Sequence, residues 1–245
     1  MGLITSSINS NYNAFQLTLE KRFSRGLSLL SSYTWSRELN DFAPVGAFCC
    51  NTNPFNRAFD YGPSDDLTHA FKLALVYQLP RFVPNGWAKR LTNAWTLSSI
   101  TTWQSGFPFT VFSGFDNSLT GIQEDQADFL GANIQQAQLS PERSHTELVQ
   151  QYFNTSLFAP NAIGTFGDTG KNALRDPGLF NTDIAVMKNT QLSEHTTLQL
   201  RGEAFNIFNN VNFFNPDNIL TDSAFGQITA ARAPRILQLA VKILF

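Results

Sequence analysis

A glycine-rich stretch that ends in lysine is the first place where this sequence could bind a phosphate group. The stretch contains Gly164, Gly167, Gly170 and Lys171. A phosphate-binding loop needs glycine at position 165 and serine or threonine at position 172. Thr165 and Asn172 stand at those positions instead. We therefore interpret residues 164–171 as an ordinary loop.

Residues that could bind a metal ion are scattered along the chain. His69, His145 and His195 are far apart and lack the paired spacing of a metal site. Four acids fall in one segment, and they are Asp116, Glu124, Asp125 and Asp128. Their spacing does not fit a calcium-binding loop. A loose contact with a cation or ligand is the alternative, but we expect a solvated loop, and the sequence predicts no metal and no cofactor.

Nucleophilic chemistry finds no support in the residue pattern. No Ser–His–Asp or Cys–His set is evident, so the sequence predicts no enzyme. Cys49 and Cys50 are adjacent and cannot make a disulfide framework or a Cys-x-x-Cys zinc site. A strained disulfide between them is the alternative to two thiols, which we favour.

The composition excludes several classes of protein. The 245 residues carry 17 Lys and Arg against 19 Asp and Glu, a net charge of −2, which argues against nucleic acid as a partner. Only 15% of the residues are charged, while 23 are phenylalanine. The sequence contains no run of about 18 apolar residues, so it predicts no membrane-spanning helix. No secretory signal is visible at the N-terminus.

Apolar and polar residues alternate with a period of two, which is typical of strands with one apolar face. The last strand is the clearest, because Leu237, Leu239, Val241, Ile243 and Phe245 share one face. Six further strands are predicted near residues 15–23, 27–35, 71–79, 95–103, 180–190 and 198–208. Ordinary strands have about 5 or 6 residues, whereas strands that cross a membrane have about 9 to 11. The sequence therefore predicts seven long antiparallel strands in an all-β fold.

The connections between these strands alternate in length. They cover residues 24–26, 38–66, 80–93, 114–178, 191–195 and 209–235. Short periplasmic turns and long extracellular loops are typical of outer-membrane barrels. The order places the C-terminus in the periplasm. Ser140 and Pro141 resemble a helix start, so we expect a short helix near 141–152 within the longest loop.

The two faces of the sheet favour a membrane environment over a soluble sheet, which also alternates. The polar face carries mainly Ser, Thr, Gln and Asn, and aromatic residues mark the strand ends. We predict an aromatic girdle from Trp35, Trp95 and Trp103, and lipid contact for the apolar face of the last strand. Gln199, Arg201 and Glu203 are predicted to face the lumen. They either contact a plug domain or, as we favour, form a cross-strand charge pair.

An ordered series of segments resembles the C-terminal part of TonB-dependent outer-membrane receptors. It is most similar to the Oar-like group, which carries a carboxypeptidase-regulatory-like domain. The segments are NSNYNAFQLTLEKRFSRGLSLLSSYTWSRELND (9–41), RAFDYGPSDDLTHAFKLALVYQLP (57–80), SSITTWQSGFPFTV (98–111), FGDTGKNALRDPGLFNTDIAVMKN (166–189), RGEAFNIFNNVNFFNP (201–216) and FGQITAARAPRILQLAVKILF (225–245).

The resemblance implies a receptor that imports a scarce ligand with energy relayed by TonB. Such receptors have a signal peptide, a TonB box and a plug, and we expect residues 1–245 to be the C-terminal part of the barrel without them. The implied partners are the outer-membrane lipid bilayer, the barrel assembly machinery (with Phe245 as an assembly signal), TonB through the missing N-terminal part, and an unknown extracellular ligand. The alternatives are a non-transporting remnant or adhesin-like surface protein, and a soluble β-rich carbohydrate-binding module.

Overall fold

The computed structural model describes residues 8–43, 52–53, 55–80, 83, 88, 92–121 and 125–245. Twelve strands and one short α-helix have both of their ends in these ranges. In chain order they are β1 (Ser10–Ser24), β2 (Leu27–Asn40), β3 (Gly62–Pro63), β4 (His69–Gln78), β5 (Trp95–Gln104), β6 (Pro108–Phe109), β7 (Asp128–Phe129), α1 (His145–Gln150), β8 (Phe158–Ala159), β9 (Leu174–Arg175), β10 (Leu179–Gln191), β11 (Thr197–Phe205) and β12 (Ile236–Leu244). No helix in this part of the chain is long and apolar enough to cross a membrane.

Seven long strands form one antiparallel sheet. Its order is β1-β2-β4-β5-β10-β11-β12, so each long strand pairs with the next long strand along the chain, and β3 adds a short pairing to β2. This arrangement confirms the predicted all-β fold with seven long antiparallel strands. The sheet is open, because neither β1 nor β12 pairs with a second strand within the described ranges.

The pairing register brings the predicted apolar faces of successive strands to the same side of the sheet. Tyr33 lies opposite Phe71, and Phe71 lies opposite Trp103. Trp103 in turn lies opposite Phe180. Side chains alternate between the two faces, so a slip of one residue would move every apolar side chain of a strand to the other face. The alternating sequence therefore disfavours a slip of one residue anywhere in the sheet.

The short connections lie at one end of the sheet and the long ones at the other. Between β1 and β2, Arg25 and Gly26 have φ angles of 51° and 81°. Two successive positive φ angles are typical of the type I′ turn, whose twist matches that of paired strands. The turn at 192–196, between β10 and β11, lies at the same end. Residues 41–68, 105–178 and 206–235 connect the strands at the opposite end.

The longest connection folds around a hydrophobic core of its own. The buried members are Phe109, Val111, Ala127, Ala137, Phe153, Phe158 and Leu174. Two short ladders, β6 with β9 and β7 with β8, fasten the segment internally. Leu220 and Phe225, from the connection between β11 and β12, pack against this core. We call residues 105–178 and 206–235 together the loop domain.

The helix in the loop domain is shorter than expected from Ser140 and Pro141. It begins after Ser144, whose hydroxyl accepts a hydrogen bond from the backbone N–H of Glu147. The Glu147 carboxylate in turn accepts a hydrogen bond of 2.8 Å from the backbone N–H of Ser144. This reciprocal capping box satisfies two N–H groups and sets the helix start. The predicted start at 141 is therefore wrong.

Two predicted loop boundaries also need correction. The connection expected at 114–178 begins at residue 105, because β5 ends at Gln104 and Pro108–Phe109 already belong to the loop domain. The strand expected to reach residue 208 ends at Phe205, because Asn206 adopts a φ of 51° that breaks the extended backbone. The strand predicted near 95–103 agrees with β5, and only the start of the following loop was placed too late. Period-two alternation continues past Phe205, so the pattern extended that strand too far.

The Arg25–Gly26 turn gives a stability prediction. A side chain carbon at Gly26 would lie 2.5 Å from the carbonyl oxygen of Gln78, and its φ is positive. We expect Gly26→Ala to lower the free energy of unfolding by about 2 kcal/mol, since the left-handed conformation alone costs about 1 to 2 kcal/mol. Urea titration of the full chain in detergent micelles measures the change. Gly202→Ala is the control, because its added carbon meets a flexible Leu239 atom at 3.4 Å. Equal effects of the two variants would contradict the turn analysis.

Candidate ligand-binding site

The loop domain is fastened to the rim of the sheet by a buried lysine and a partly exposed arginine. The Lys171 ammonium donates hydrogen bonds to the side chain of Asn40 and, at 2.6 Å, to the carbonyl oxygen of Phe42. Burial lowers the pKa of Lys171. The Arg175 guanidinium donates to the carbonyl oxygen of Gly106 at 3.0 Å and forms an ion pair with Asp66. The loop domain is therefore held in a defined position over the sheet.

Phe153 is the centre of the loop-domain core and is 2% exposed. Its ring centroid lies 5.8 Å from that of Phe109, 5.5 Å from that of Phe158 and 5.3 Å from that of Phe225. Tilted and edge-on rings at these distances interact favourably beyond their buried area. This cluster gives one wall of the neighbouring cavity a fixed shape.

A cavity of about 470 Å³ lies beside Phe153. Its volume falls in the range of pockets that hold small molecules. The lining residues are Gln138, Leu139, Pro141, Arg143, Leu148, Tyr152, Phe153, Leu174, Arg175, Asp176, Pro177, Gly178 and Phe213. Apolar and aromatic side chains make up most of these walls, and a few polar groups converge on them.

Asp176 is the buried acid of this cavity. Asp176 is 6% exposed, and neither of its carboxylate oxygens has a hydrogen-bond partner among the described residues. Its backbone N–H donates to the carbonyl oxygen of Phe107 at 2.8 Å. A side chain at Gly106 would come within 1.7 Å of the Asp176 carbonyl oxygen, so glycine is required for this close packing. Burial raises the pKa of the Asp176 carboxyl to about 7.

The two arginines of the lining bind other acceptors. Arg143 donates to the carbonyl oxygens of Ser140, Gln151 and Tyr152 at 2.9, 2.6 and 3.0 Å. The Arg175 guanidinium forms an ion pair with Asp66 and donates to the carbonyl oxygen of Gly106. The carbonyl oxygen of Arg175 accepts a hydrogen bond of 3.0 Å from the hydroxyl of Tyr152. Burial and the nearby charge of Asp176 raise the pKa of Tyr152 to about 12. The Asp176 carboxylate thus keeps its capacity to accept hydrogen bonds from a ligand.

The predicted assembly strand lies at the open edge of the sheet. Leu237, Leu239, Val241 and Ile243 lie on one face of β12, opposite Ala204, Gly202, Leu200 and Leu198 of β11 in that order. All four are more than half exposed, and Phe245 is 99% exposed. Their contact with lipid stays a prediction.

The residues predicted to face the lumen lie together on the other face of β11. Arg201 forms an ion pair with Glu203, two positions along the same strand. Gln199 donates a hydrogen bond of 3.0 Å to Asn189 on β10. The predicted cross-strand charge pair is therefore wrong, because the charged partners share a strand and the cross-strand contact joins two amides.

The predicted girdle residues fall in two rows. Trp35 and Trp103 lie towards the long connections, where Trp35 pairs with Phe15 of β1. Trp95 lies towards the short turns, and the Lys188 ammonium lies 5.0 Å from its ring centroid. A position at the two membrane interfaces stays a prediction.

The three histidines considered as metal ligands lie in different elements of the fold. The hydroxyl of Tyr33 lies 2.8 Å from a ring nitrogen of His69, His145 lies in α1, and His195 lies in the turn at 192–196. In the described ranges no group of three or more His, Cys, Asp or Glu side chains is arranged to hold a metal ion. Cys49, Cys50 and Glu124 lie outside the described residues.

Asp125 corrects the expectation of a solvated acidic loop. It is fully buried, and its carboxylate accepts hydrogen bonds from the backbone N–H and hydroxyl of Ser118 at 2.7 and 2.6 Å. The Asn161 amide donates a third hydrogen bond at 2.9 Å. Asp116 accepts from the backbone N–H of Gly121 at 2.9 Å. The carboxylates of Asp116 and Asp125 therefore hold neighbouring segments of the loop domain together by accepting hydrogen bonds.

Asp176 was missed as a functional candidate. Its sequence context, Arg175-Asp176-Pro177-Gly178, indicates a turn, and turns usually leave aspartate in solvent. The cavity that Asp176 lines is formed together with residues 138–153, which are remote in sequence. No local pattern reports such packing.

Comparison with known families identifies the class of protein that this sheet defines. The family described as the outer membrane beta barrel domain matches residues 1–238. The chain therefore belongs to the outer membrane beta barrel domain family, and its location is the cell outer membrane. This result sets aside a soluble carbohydrate-binding module. No curated protein and no solved structure matches the chain.

The buried carboxyl of Asp176 predicts a pH-dependent loop domain. Its pKa of about 7 lies above the ordinary 3.8, so the folded form holds a proton that the unfolded form releases. The contribution of this carboxyl to the free energy of unfolding is at its full value below about pH 4, and it is lost as the pH rises through about 7. We expect Asp176→Asn to remove this fall in the hydrogen-exchange protection of residues 105–178. Asp222→Asn, at an exposed position, is the matched control.

Two other titratable side chains near the loop core are left in place in both variants. Burial, followed by the charge of Asp168, also raises the pKa of Asp128. His145 lies against Phe213, 5.7 Å between ring centroids. Their contribution cancels when Asp176→Asn is compared with Asp222→Asn. An unchanged pH slope in Asp176→Asn would refute the assignment.

Proposed function

We propose that the chain is part of a TonB-dependent outer-membrane receptor of the Oar-like group, in which the loop domain captures a ligand for import. The observation that carries this proposal is the folded loop domain, which holds a cavity of about 470 Å³ at the long-connection end of a membrane barrel sheet. Long loops of outer-membrane barrels lie on the extracellular side. A rigid cavity there is suited to binding a ligand before transport.

The polar face of the sheet supports a route through the lumen. Thr18 lies opposite Ser32, Ser32 opposite Lys72 and Lys72 opposite Thr102. Hydroxyl and amide side chains on this face suit a hydrated interior, whereas the opposite face carries the apolar residues that suit lipid. The TonB-driven step itself rests on the resemblance of the sequence segments.

The open edges support a barrel with further strands. A strand edge with free N–H and C=O groups is not tolerated in hydrocarbon, so β1 and β12 require neighbours in the membrane. We propose that the rest of the receptor barrel supplies them and that a plug contacts the polar face. We also propose that the barrel assembly machinery recognises β12 and the exposed ring of Phe245.

Uptake by intact cells tests this function. The full receptor gene is expressed in a strain that lacks it, and accumulation of iron–siderophore complexes, oligosaccharides and peptides is measured. We expect one of these nutrient classes to accumulate at least about ten-fold faster with the gene, and the gain to vanish when TonB is disrupted. A strain that carries the barrel without the segment 138–153 is the control for capture.

Two outcomes contradict the proposal. Accumulation that persists without TonB would indicate passive diffusion through the barrel. Cell-surface adhesion without accumulation of any nutrient class would instead favour an adhesin-like protein or a non-transporting remnant.

A further inference from the structure

We propose that the loop-domain cavity binds a small organic cation, with an ammonium group on Asp176 and an apolar body against Phe153, Leu148 and Phe213. No comparison and no sequence motif assigns a ligand to this cavity. As the identity of the captured ligand, the inference rests on the proposed receptor function. The binding step itself is measured without transport.

The buried carboxylate selects for positive charge. Asp176 is 6% exposed and its carboxylate oxygens have no hydrogen-bond partner among the described residues, so the group strongly favours a partner that donates charged hydrogen bonds. The cations nearest in the lining, Arg143 and Arg175, already donate to backbone carbonyl oxygens or to Asp66. Tyr152 donates its hydroxyl to the carbonyl oxygen of Arg175. A ligand ammonium can therefore pair with Asp176 without displacing an existing ion pair.

The walls select for an apolar body next to that charge. Phe153 is held by three neighbouring rings, so its face is rigid before a ligand arrives. Leu148, from α1, and Phe213, from the connection between β11 and β12, complete an apolar surface. Aromatic faces also attract cations that lie within about 6 Å. A ligand that joins an amine to an aromatic or aliphatic group fits both parts.

Binding of this cation is coupled to a proton. Near neutral pH part of the Asp176 population is protonated, because burial raises its pKa to about 7. An ammonium group favours the ionised carboxylate, so binding releases a proton. The other charged or titratable groups of the cavity lining are Arg143, Arg175 and Tyr152. Burial and the charge of Asp176 raise the pKa of Tyr152 to about 12, far above this pH range. The His145 ring packs edge-on against Phe213, with 5.7 Å between the ring centroids, and His145 is replaced by glutamine in a control variant.

Calorimetry on the purified full chain in detergent tests the proposal. The probes are 2-phenylethylamine and its neutral analogue 2-phenylethanol. We expect the amine to bind at least about ten-fold more tightly than the alcohol at pH 8, and about ten-fold more tightly at pH 8 than at pH 6. Asp176→Asn should abolish the preference for the amine over the alcohol. Asp222→Asn should bind like the wild type.

A second measurement keeps the test decisive if Asp176→Asn folds poorly. Titration of wild type and His145→Gln in buffers of different ionisation enthalpy reports protons released on binding. We expect release in both proteins at pH 6.5. Equal affinities for amine and alcohol, undetectable amine binding at 10 mM, or release that disappears in His145→Gln would overturn the proposal. Amine binding by the chain without cellular uptake would overturn import and leave the cation site intact.

Discussion

Backbone hydrogen bonding in hydrocarbon is the constraint on which this structure depends. Every N–H and C=O group of a membrane strand must find a partner in a neighbouring strand, since lipid offers none. Five inner strands of the sheet have a paired neighbour on both edges, whereas β1 and β12 have one neighbour each among the described residues. The alternating side chains follow from it, because a strand paired on both edges presents its residues to two faces in turn.

The loop domain is free of that constraint and is built like a soluble protein. It buries a phenylalanine cluster, satisfies buried acids such as Asp125 with several donors, and fastens itself to the sheet through Lys171 and Arg175. Asp176 departs from this rule, because burial of a carboxylate without a partner is costly. Such local costs are concentrated at functional sites. The contrast with Asp125 in the same domain makes the cavity the best candidate for ligand capture.

The sequence predicted the sheet well because its signal is local and repeated. The alternation in residues 237–245 and the glycine in the turn at 24–26 each follow from the residues themselves, and both agree with the strand order and turn geometry. The loop domain was poorly predicted because its order comes from contacts between remote segments. Asp125 was taken for a solvated acid, and the helix start was assigned to Ser140 although the capping pair is Ser144 with Glu147. The cavity needs residues 138–153, 174–178 and Phe213 at once, and no sequence window contains all three.

The direct test of the account is which face of β12 meets lipid. Nitroxide labels at single cysteines along residues 236–244 are read in lipid vesicles, with Cys49 and Cys50 replaced by serine. The account predicts that accessibility to oxygen peaks at 237, 239, 241 and 243, and that accessibility to a water-soluble nickel reagent peaks at 238, 240 and 242. Loss of the period of two, or its reversal, would contradict a barrel whose apolar face lies in the membrane.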